Sequence, residues 1–231
     1  MISANLERIR GKISAVCGFL GKNPSEIVLV GVTKHAVASQ IKEAMGAGLA
    51  HVGENRVQDA QNKFAQLGGD LAGVTKHMIG HLQTNKVKSA VELFDLIQSV
   101  NSLQLVKEIQ KQAQNRQKEV DILVEVNTSG EAQKTGIRSE EIFSLIESIS
   151  KCEHIRLLGL MTMAAHTEEK EVVRDCFRQL RKLFEQAREK FVNVPNIEMK
   201  HLSMGMSDDY EIAIQEGSNM VRIGRAIFSG E

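Results

Sequence analysis

The first residue that could do chemistry is a lysine at the end of an apolar run. The stretch IVLVGVTKH, residues 27–35, is mostly β-branched and aliphatic and stops at Lys34. Such a run predicts a strand buried on both faces, with Lys34 at its carboxyl end. An amine surrounded there by apolar side chains can have its pKa lowered by desolvation and can then form a Schiff base with an aldehyde. The alternatives are a solvated lysine and a simple electrostatic partner for an anion.

Two loops late in the sequence are suited to binding an anion. SMGMSDD, residues 203–209, and IGRA, residues 223–226, place glycine and serine where backbone N–H groups can approach a phosphate. Alternatively, Gly205 and Gly224 are ordinary turn glycines and Ser207 only caps a helix. A lysine combined with an anion site fits a phosphorylated aldehyde, and pyridoxal 5'-phosphate (PLP) meets that description.

Arg222 lies two residues before Gly224, so its side chain should point to the same side of a strand, towards the predicted phosphate loops. A guanidinium does not lose its proton in proteins, so against a pyridine nitrogen it can only donate a hydrogen bond. It would keep that nitrogen unprotonated, and a neutral ring is a poor electron sink. The alternative is a salt bridge between Arg222 and a carboxylate such as Glu125.

These residues must be positioned by alternating strands and helices. Hydrophobic periodicity predicts a helix near the N-terminus and then eight strands, each followed by a helical or polar segment. The predicted strands are residues 27–33, 49–53, 76–80, 95–100, 120–127, 155–163, 197–203 and 219–224. A polar loop at residues 128–139, which includes Lys134, follows the fifth strand and is interpreted as a lid over the site.

This alternation predicts a parallel sheet with helices outside, and eight strands are the number that closes a (β/α)₈ barrel. An open doubly wound sheet is the competing architecture. In both folds, ligands bind at the carboxyl ends of the strands, where Lys34 and the predicted phosphate loops lie. No Pro/Gly/Ser-rich linker divides the chain, so residues 1–231 are predicted to form a single domain.

Composition excludes several functional classes. Lys plus Arg and Asp plus Glu both number 29, which disfavours nucleic acid and anionic lipid as partners. The N-terminal segment carries charges at helical spacing and has no signal-peptide core, and no apolar run reaches the ~20 residues that span a bilayer. Three widely spaced cysteines form no recognisable disulfide or metal pattern. We therefore expect a cytoplasmic protein without membrane contact.

Together, the strand-end motifs resemble the pyridoxal-phosphate homeostasis proteins, single-domain relatives of the N-terminal (β/α)₈ barrel of alanine racemases. The resemblance runs from about Ile27 to Phe228. The motifs that carry it are VTKH, GENRVQ, HMIGHLQTNK, VNTSGEAQKTG, GLMTM, LSMGMSDDYE and VRIGRAIF.

The resemblance implies a role for each matching residue. Lys34 would carry PLP as an internal aldimine, and Arg222 would face the pyridine nitrogen. Ser207, Gly224 and Arg225 would hold the phosphate. Asn55, in the GEN motif, would lie beside the cofactor.

The sequence departs from the family pattern at two positions. His35, Ala36 and Val37 follow the lysine where relatives often have a Thr-Lys-Pro type run. Arg225 stands where Ser or Thr is common, so only its backbone N–H can serve a phosphate there.

The resemblance favours a carrier and regulator of PLP in vitamin B6 homeostasis, without robust catalysis. An alanine racemase needs a tyrosine from a second domain of its partner subunit, and this sequence ends at Glu231. Its one tyrosine, Tyr210, is expected to be solvated in the first turn of a helix. We expect a monomer that passes PLP to apoenzymes or exchanges it with salvage enzymes. A low-activity amino-acid racemase is the alternative function.

A metal-assisted hydrolase is a second alternative. His77 and His81 are four residues apart, and His51 lies on the neighbouring strand. That spacing presents two ligands on one face only within a helix, whereas here it crosses the end of a strand. No metal is therefore expected.

Overall fold

The structure is a computed structural model that describes residues 1–131 and 135–229. Within these ranges the helices are Ile2–Phe19 (α1), Ala38–Gly46 (α2), Val57–Leu67 (α3), Val87–Leu93 (α4), Leu103–Gln114 (α5), Ile142–Ile149 (α6), Lys170–Lys190 (α7), Tyr210–Gln215 (α8) and Arg225–Phe228 (α9). The strands are Val28–Val32 (β1), His51–Glu54 (β2), Thr75–Met78 (β3), Leu96–Val100 (β4), Val120–Asn127 (β5), Ile137–Arg138 (β6), Ile155–Met161 (β7), Ile197–Ser203 (β8) and Met220–Ile223 (β9).

Eight of the strands form a closed barrel of parallel pairs. The order runs β4, β3, β2, β1, β9, β8, β7, β5, and a further pairing of β4 with β5 closes the ring. Each of these strands has a neighbour on both sides. The predicted (β/α)₈ barrel is therefore confirmed, and the open-sheet alternative is wrong. All eight predicted strands are present, and their ends lie within two residues of those expected.

The loop after β5 contains a strand that the sequence did not predict. β6 pairs in parallel with the end of β5, with Val126 opposite Ile137. Gly136, which has φ +117°, makes this return possible, because a Cβ there would lie 2.5 Å from the backbone nitrogen of Asn127. Residues 132–134, including Lys134, lie outside the described residues. The predicted lid therefore stays a prediction.

Helix α1 packs against the outside of the barrel, next to α2, α8 and α9. Its apolar face buries Leu6, Ile9 and Ile13. The Asn5 side chain donates to the carbonyl of Ile227 at 2.9 Å. Since α2, α8 and α9 follow β1, β8 and β9, α1 fixes the three units that carry Lys34 and the predicted phosphate loops. In the described part of the chain, no helix has both the length and the apolarity that crossing a membrane requires.

The barrel interior combines an apolar cluster with a group of buried polar side chains. The apolar cluster consists of Val30, Leu96, Leu123, Leu158, Met161 and Met220. Beside it, the buried polar side chains include His77, Gln98, Ser203 and Arg222. Since buried polar groups are stable only when they are hydrogen-bonded, these residues must satisfy one another inside the barrel.

Candidate functional site

The predicted site residues follow the two-residue period of β1 and β9. Val30 lies opposite Arg222 in the register of these neighbouring strands. Lys34 is four residues beyond Val30, and Gly224 is two residues beyond Arg222. Alternation therefore directs Val30 and Arg222 to the same face of the sheet, and Lys34 and Gly224 follow just beyond the strand ends, at the carboxyl-terminal mouth.

Arg222 is buried at the base of this mouth, with 4% of its surface exposed. Its guanidinium donates to Ser203 Oγ at 2.6 Å and to the carbonyl oxygen of Thr162 at 2.8 Å. Burial lowers the pKa of Arg222 to about 10, opposed by the charges of Asp209 and Glu125. Among the described residues, no carboxylate lies within ion-pairing distance of Arg222, so the predicted alternative of a salt bridge to Glu125 is wrong. A guanidinium has five N–H donors, which leaves capacity for a further acceptor.

Lys34 lies in the turn after β1 and is exposed, unlike the lysine in apolar surroundings that the sequence suggested. It lines a cavity of about 40 Å³ together with Val32, Gly224 and Arg225. The structure therefore brings the predicted nucleophile next to two of the predicted phosphate-binding residues.

A buried ion pair supports the turn that carries Lys34. Thr33 donates from Oγ1 to Glu54 Oε1 at 2.6 Å. Lys63 donates to the same carboxylate oxygen at 2.8 Å and to the carbonyl of Thr33 at 2.6 Å. The other oxygen, Glu54 Oε2, is buried without a partner among the described residues. Sequence analysis missed this support because the hydrogen-bonded residues are 9 to 30 positions apart in the sequence.

The predicted phosphate-binding residues lie on two loops that contact each other. Ser207 Oγ accepts a hydrogen bond from the backbone N–H of Ala226 at 3.4 Å, and the Arg225 side chain forms an ion pair with Asp208. At Gly224, a Cβ would come within 3.3 Å of Val32, so only glycine keeps this wall open without displacement. The first N–H groups of a helix have no intrahelical partner, so those that begin α9 can receive an anion.

Gly205 is more constrained than an ordinary turn glycine. It has φ +98°, and a Cβ there would lie 2.6 Å from the Cβ of Ala213 and 2.9 Å from the Cα of Tyr210. Its carbonyl accepts from the backbone N–H of Arg222 at 3.0 Å. The tight turn therefore aligns the Ser207 loop with β9.

Asn55 is half-buried just after β2 and lines a different cavity, of about 360 Å³, with Met78 and His81 among its walls. The backbone of Asn55 packs closely on Gly80, where a Cβ would lie 2.4 Å from the Asn55 carbonyl oxygen. Among the described residues, this cavity shares no lining residue with the Lys34 cavity, so the structure does not bring Asn55 into the same cavity as Lys34. Sequence analysis did not identify Gly80, because its contact with Asn55 joins the segments that follow β2 and β3, which are far apart in the sequence.

Glu125 supplies a buried carboxyl group on β5. Burial raises its pKa, partly opposed by a hydrogen bond from Thr135 and by the positive charges of Arg222 and His81. Its Oε2 atom is buried and has no partner among the described residues. A carboxyl group in this setting holds a proton more readily than one in water.

The three histidines considered for a metal do not come together as one group. His51 and His77 contact each other inside the barrel, with Nδ1 of His51 3.0 Å from Nε2 of His77. His81 is exposed beyond β3, away from that contact. In the ranges that the structure describes, no group of three potential ligands is arranged for a metal ion.

Tyr210 is buried, so the expectation of a solvated position is wrong. It begins α8, and burial raises its pKa to about 12, with a further increase from Glu211 and a decrease from Arg8 of α1. The side chain therefore packs on the outer, α1 side of the barrel. Its burial could not be read locally, because α1 is almost 200 residues away in sequence.

Comparison with known proteins identifies the family of this chain. The family model for the alanine racemase N-terminal domain matches residues 4–231. A pyridoxal phosphate homeostasis protein of Aquifex aeolicus (strain VF5) is 39% identical over 223 residues, covering 96% of this chain and 95% of the relative. A protein of the same name from Escherichia coli (strain K12) is 38% identical over 235 residues, covering 98% and 95%.

A solved structure gives the same relation. PipY of Synechococcus elongatus PCC7942 with PLP bound is 30% identical, has a TM-score of 0.86 and covers 99% of this chain and 100% of its own. Matches of this length and identity include every strand end that forms the mouth. The chain therefore belongs to the pyridoxal phosphate homeostasis proteins, within the family defined by the alanine racemase N-terminal domain.

Proposed function

We propose that this protein binds PLP at the barrel mouth and acts as a carrier and regulator of the cofactor in vitamin B6 homeostasis. The observation that carries the proposal is the convergence of Lys34, Gly224 and Arg225 on one cavity, beside the buried Arg222. Relatives named pyridoxal phosphate homeostasis proteins, and the PLP-bound structure of PipY, support it. In this proposal residues 1–231 act as one PLP-binding domain.

The mouth fits PLP in two respects. Gly224 leaves open a wall that a Cβ would narrow, and Arg222 retains donor capacity with no acidic partner among the described residues. When bound, PLP supplies an aldehyde that condenses with the Lys34 amine as a Schiff base, with loss of water. The condensation masks a reactive aldehyde and can be reversed by water.

Each of the other proposed residues binds or orients. The hydroxyl of Ser207 and the N–H groups of Gly224 and Arg225 would donate to the phosphate. Arg222 would donate to the ring nitrogen, and Asn55 is the residue that we assign to the side of the ring. The Arg225 side chain serves by tying the two phosphate loops together through Asp208.

The same residues favour carrying over catalysis. Because Arg222 does not release its proton, the ring nitrogen that faces it stays neutral, and a neutral ring withdraws electrons poorly. Tyr210 is buried on the α1 side and is not available as a second base at Lys34. Lys34 is then the one basic group that we assign to the proton chemistry of the mouth.

We further propose that the protein works as a monomer in the cytoplasm and exchanges PLP with PLP-dependent apoenzymes or B6 salvage enzymes. The three cysteines, Cys17, Cys152 and Cys176, are free thiols, which suits a reducing compartment. The balanced charge of the chain gives no support to nucleic acid or anionic membranes as partners.

An absorption spectrum tests the proposal. Purified protein incubated with PLP should gain the visible band of a protonated imine, and Lys34→Ala should lose it. Lys86→Ala is the matched control, because Lys86 lines the separate cavity at Asn55 and its replacement should leave the band unchanged. A band that persists in Lys34→Ala would contradict the assignment.

The buried carboxyl group of Glu125 favours one second candidate function, a low-activity amino-acid racemase. Its raised pKa and unpaired Oε2 would suit an acid opposite Lys34. Incubation with single enantiomers of common amino acids decides between the two functions. Inversion that disappears in both Lys34→Ala and Glu125→Gln would replace the carrier by the racemase.

A further inference from the structure

A chain of hydrogen bonds crosses the barrel interior from Arg222 to β2. Arg222 donates to Ser203 Oγ at 2.6 Å, and Ser203 donates to Gln98 Oε1 at 2.7 Å. Gln98 Nε2 lies 2.9 Å from His77 Nδ1, and His77 Nε2 lies 3.0 Å from His51 Nδ1. The five residues come from β9, β8, β4, β3 and β2.

Chemistry fixes the direction of every bond in this chain. A guanidinium has only donors, so the Ser203 hydroxyl accepts from Arg222. The structure places Gln98 Oε1 against Ser203 Oγ and Gln98 Nε2 against His77, so the Ser203 hydroxyl donates to the amide oxygen and the NH₂ group faces His77. The sulfur of Met220, a weak acceptor 3.3 Å from Gln98 Nε2, agrees with that orientation.

The same logic fixes the histidine tautomers. Because His77 Nδ1 faces an NH₂ group, it must be unprotonated, and the ring carries its proton on Nε2, which donates to His51. Burial, reinforced by the charges of His51 and His201, lowers the pKa of His77 to about 3, so the ring is neutral at neutral pH. Each bond in the chain is thus donated in the direction that leads from Arg222 to His51.

We propose that Gln98 and His77 are positioning residues for Arg222. They orient the Ser203 hydroxyl so that a lone pair faces one NH₂ group of the guanidinium. The carbonyl oxygen of Thr162 accepts from the other NH₂ group. Arg222 is then fixed with its remaining N–H groups towards the mouth. If the protein binds PLP as proposed above, Gln98 keeps the PLP ring nitrogen unprotonated and slows PLP release. This consequence rests on the proposed function.

Gln98→Met tests the proposal, because methionine has a similar length and makes neither amide hydrogen bond. Leu123→Met is the matched control, since Leu123 is fully buried in the interior and belongs to the apolar cluster. In Gln98→Met we expect a Lys34 adduct that releases PLP about tenfold faster than wild type, equivalent to about 1.4 kcal/mol. The ¹⁵N chemical shift of ring-labelled PLP should move towards the protonated value. Leu123→Met should change neither.

A double-mutant cycle separates positioning from general support of the barrel. Ser203→Ala should speed PLP release to a similar extent, and the double variant should add little, since both changes break one chain. Fully additive effects would overturn the proposal. So would a Gln98→Met protein with the release rate and ¹⁵N shift of Leu123→Met.

The His77 tautomer provides a test that needs neither a variant nor PLP. In ¹⁵N NMR spectra of the wild-type protein at neutral pH, His77 should carry its proton on Nε2 and none on Nδ1. A His77 with a proton on Nδ1 would overturn the chain even if PLP binds. A wild-type protein that forms no adduct with PLP would instead refute the proposed function. The His77 tautomer would still show whether the chain of hydrogen bonds has the proposed direction.

Discussion

Replacement of His77 should change how the stability of the protein depends on pH. His77 is buried inside the barrel, and burial lowers its pKa from 6.5 to about 3. Between those two values the unfolded chain binds more protons than the folded protein. The free energy of unfolding must therefore fall as the pH falls through that range.

The size of the effect follows from the pKa difference. At pH 5, which is about 1.5 units below the unfolded-state pKa, an unfolded histidine is almost fully protonated while folded His77 is not. Since one pKa unit corresponds to about 1.4 kcal/mol, His77 alone should remove about 2 kcal/mol of stability between pH 7 and pH 5.

His77→Gln isolates this contribution. The amide oxygen of glutamine can accept from Gln98 and its NH₂ group can donate to His51, so the variant imitates the neutral tautomer without its titration. Any loss of packing is present at both pH values and cancels in the comparison. His35→Gln, in the exposed turn after β1, is the matched control.

Urea unfolding at pH 7 and pH 5 measures the difference. The wild type and His35→Gln should each lose about 2 kcal/mol more than His77→Gln on going to pH 5. Equal losses in all three proteins would refute the reasoning, because they would mean that His77 takes up its proton as easily in the folded barrel as in the unfolded chain.

Two further predictions concern the supports of the mouth. Gly80→Ala would place a Cβ 2.4 Å from the Asn55 carbonyl oxygen, so we expect a loss of about 2 kcal/mol and a lower thermal midpoint. Gly69→Ala, whose Cβ meets no atom within 4 Å, should show neither effect. Lys63→Ala leaves the carboxylate of Glu54 buried without its cation, which should cost about 3 kcal/mol in urea unfolding at pH 7. A loss below about 0.5 kcal/mol there would contradict the assignment of this ion pair as a support of the turn.

Local pattern was sufficient to predict the eight strands and their alternation with helices, but it left the open sheet as an alternative to the closed barrel. A β-branched run such as Val120–Asn127 has the composition and length of a buried strand, and the predicted bounds of this strand agree with the structure. β6 was missed, because two residues, Ile137–Arg138, carry no periodicity and their pairing with β5 depends on the turn at Gly136.

The candidate site was predictable where chemistry and position in one strand coincide. Lys34 and Gly224 are both identified by the strand that precedes them, and the structure brings them to one cavity. The links between strands were not predictable in this way. In the sequence, Gln98 is one polar residue in an apolar strand. Its contacts with His77 and Ser203 join different strands and can be seen only in the folded barrel.

The position of Tyr210 shows the same limit. Its place in the first turn of a helix suggested a solvated side chain, but Tyr210 is buried and α8 packs against α1. Burial of a residue on a barrel helix depends on what packs outside it, and that information lies elsewhere in the sequence.

Reduction of the PLP-loaded protein with borohydride, followed by peptide mass spectrometry, tests the central claim most directly. The account predicts that the reduced cofactor is found on the peptide that contains Lys34 and that phosphate competes with its attachment. Attachment to another lysine, or no attachment at saturating PLP, would contradict the assignment of the mouth as the PLP site.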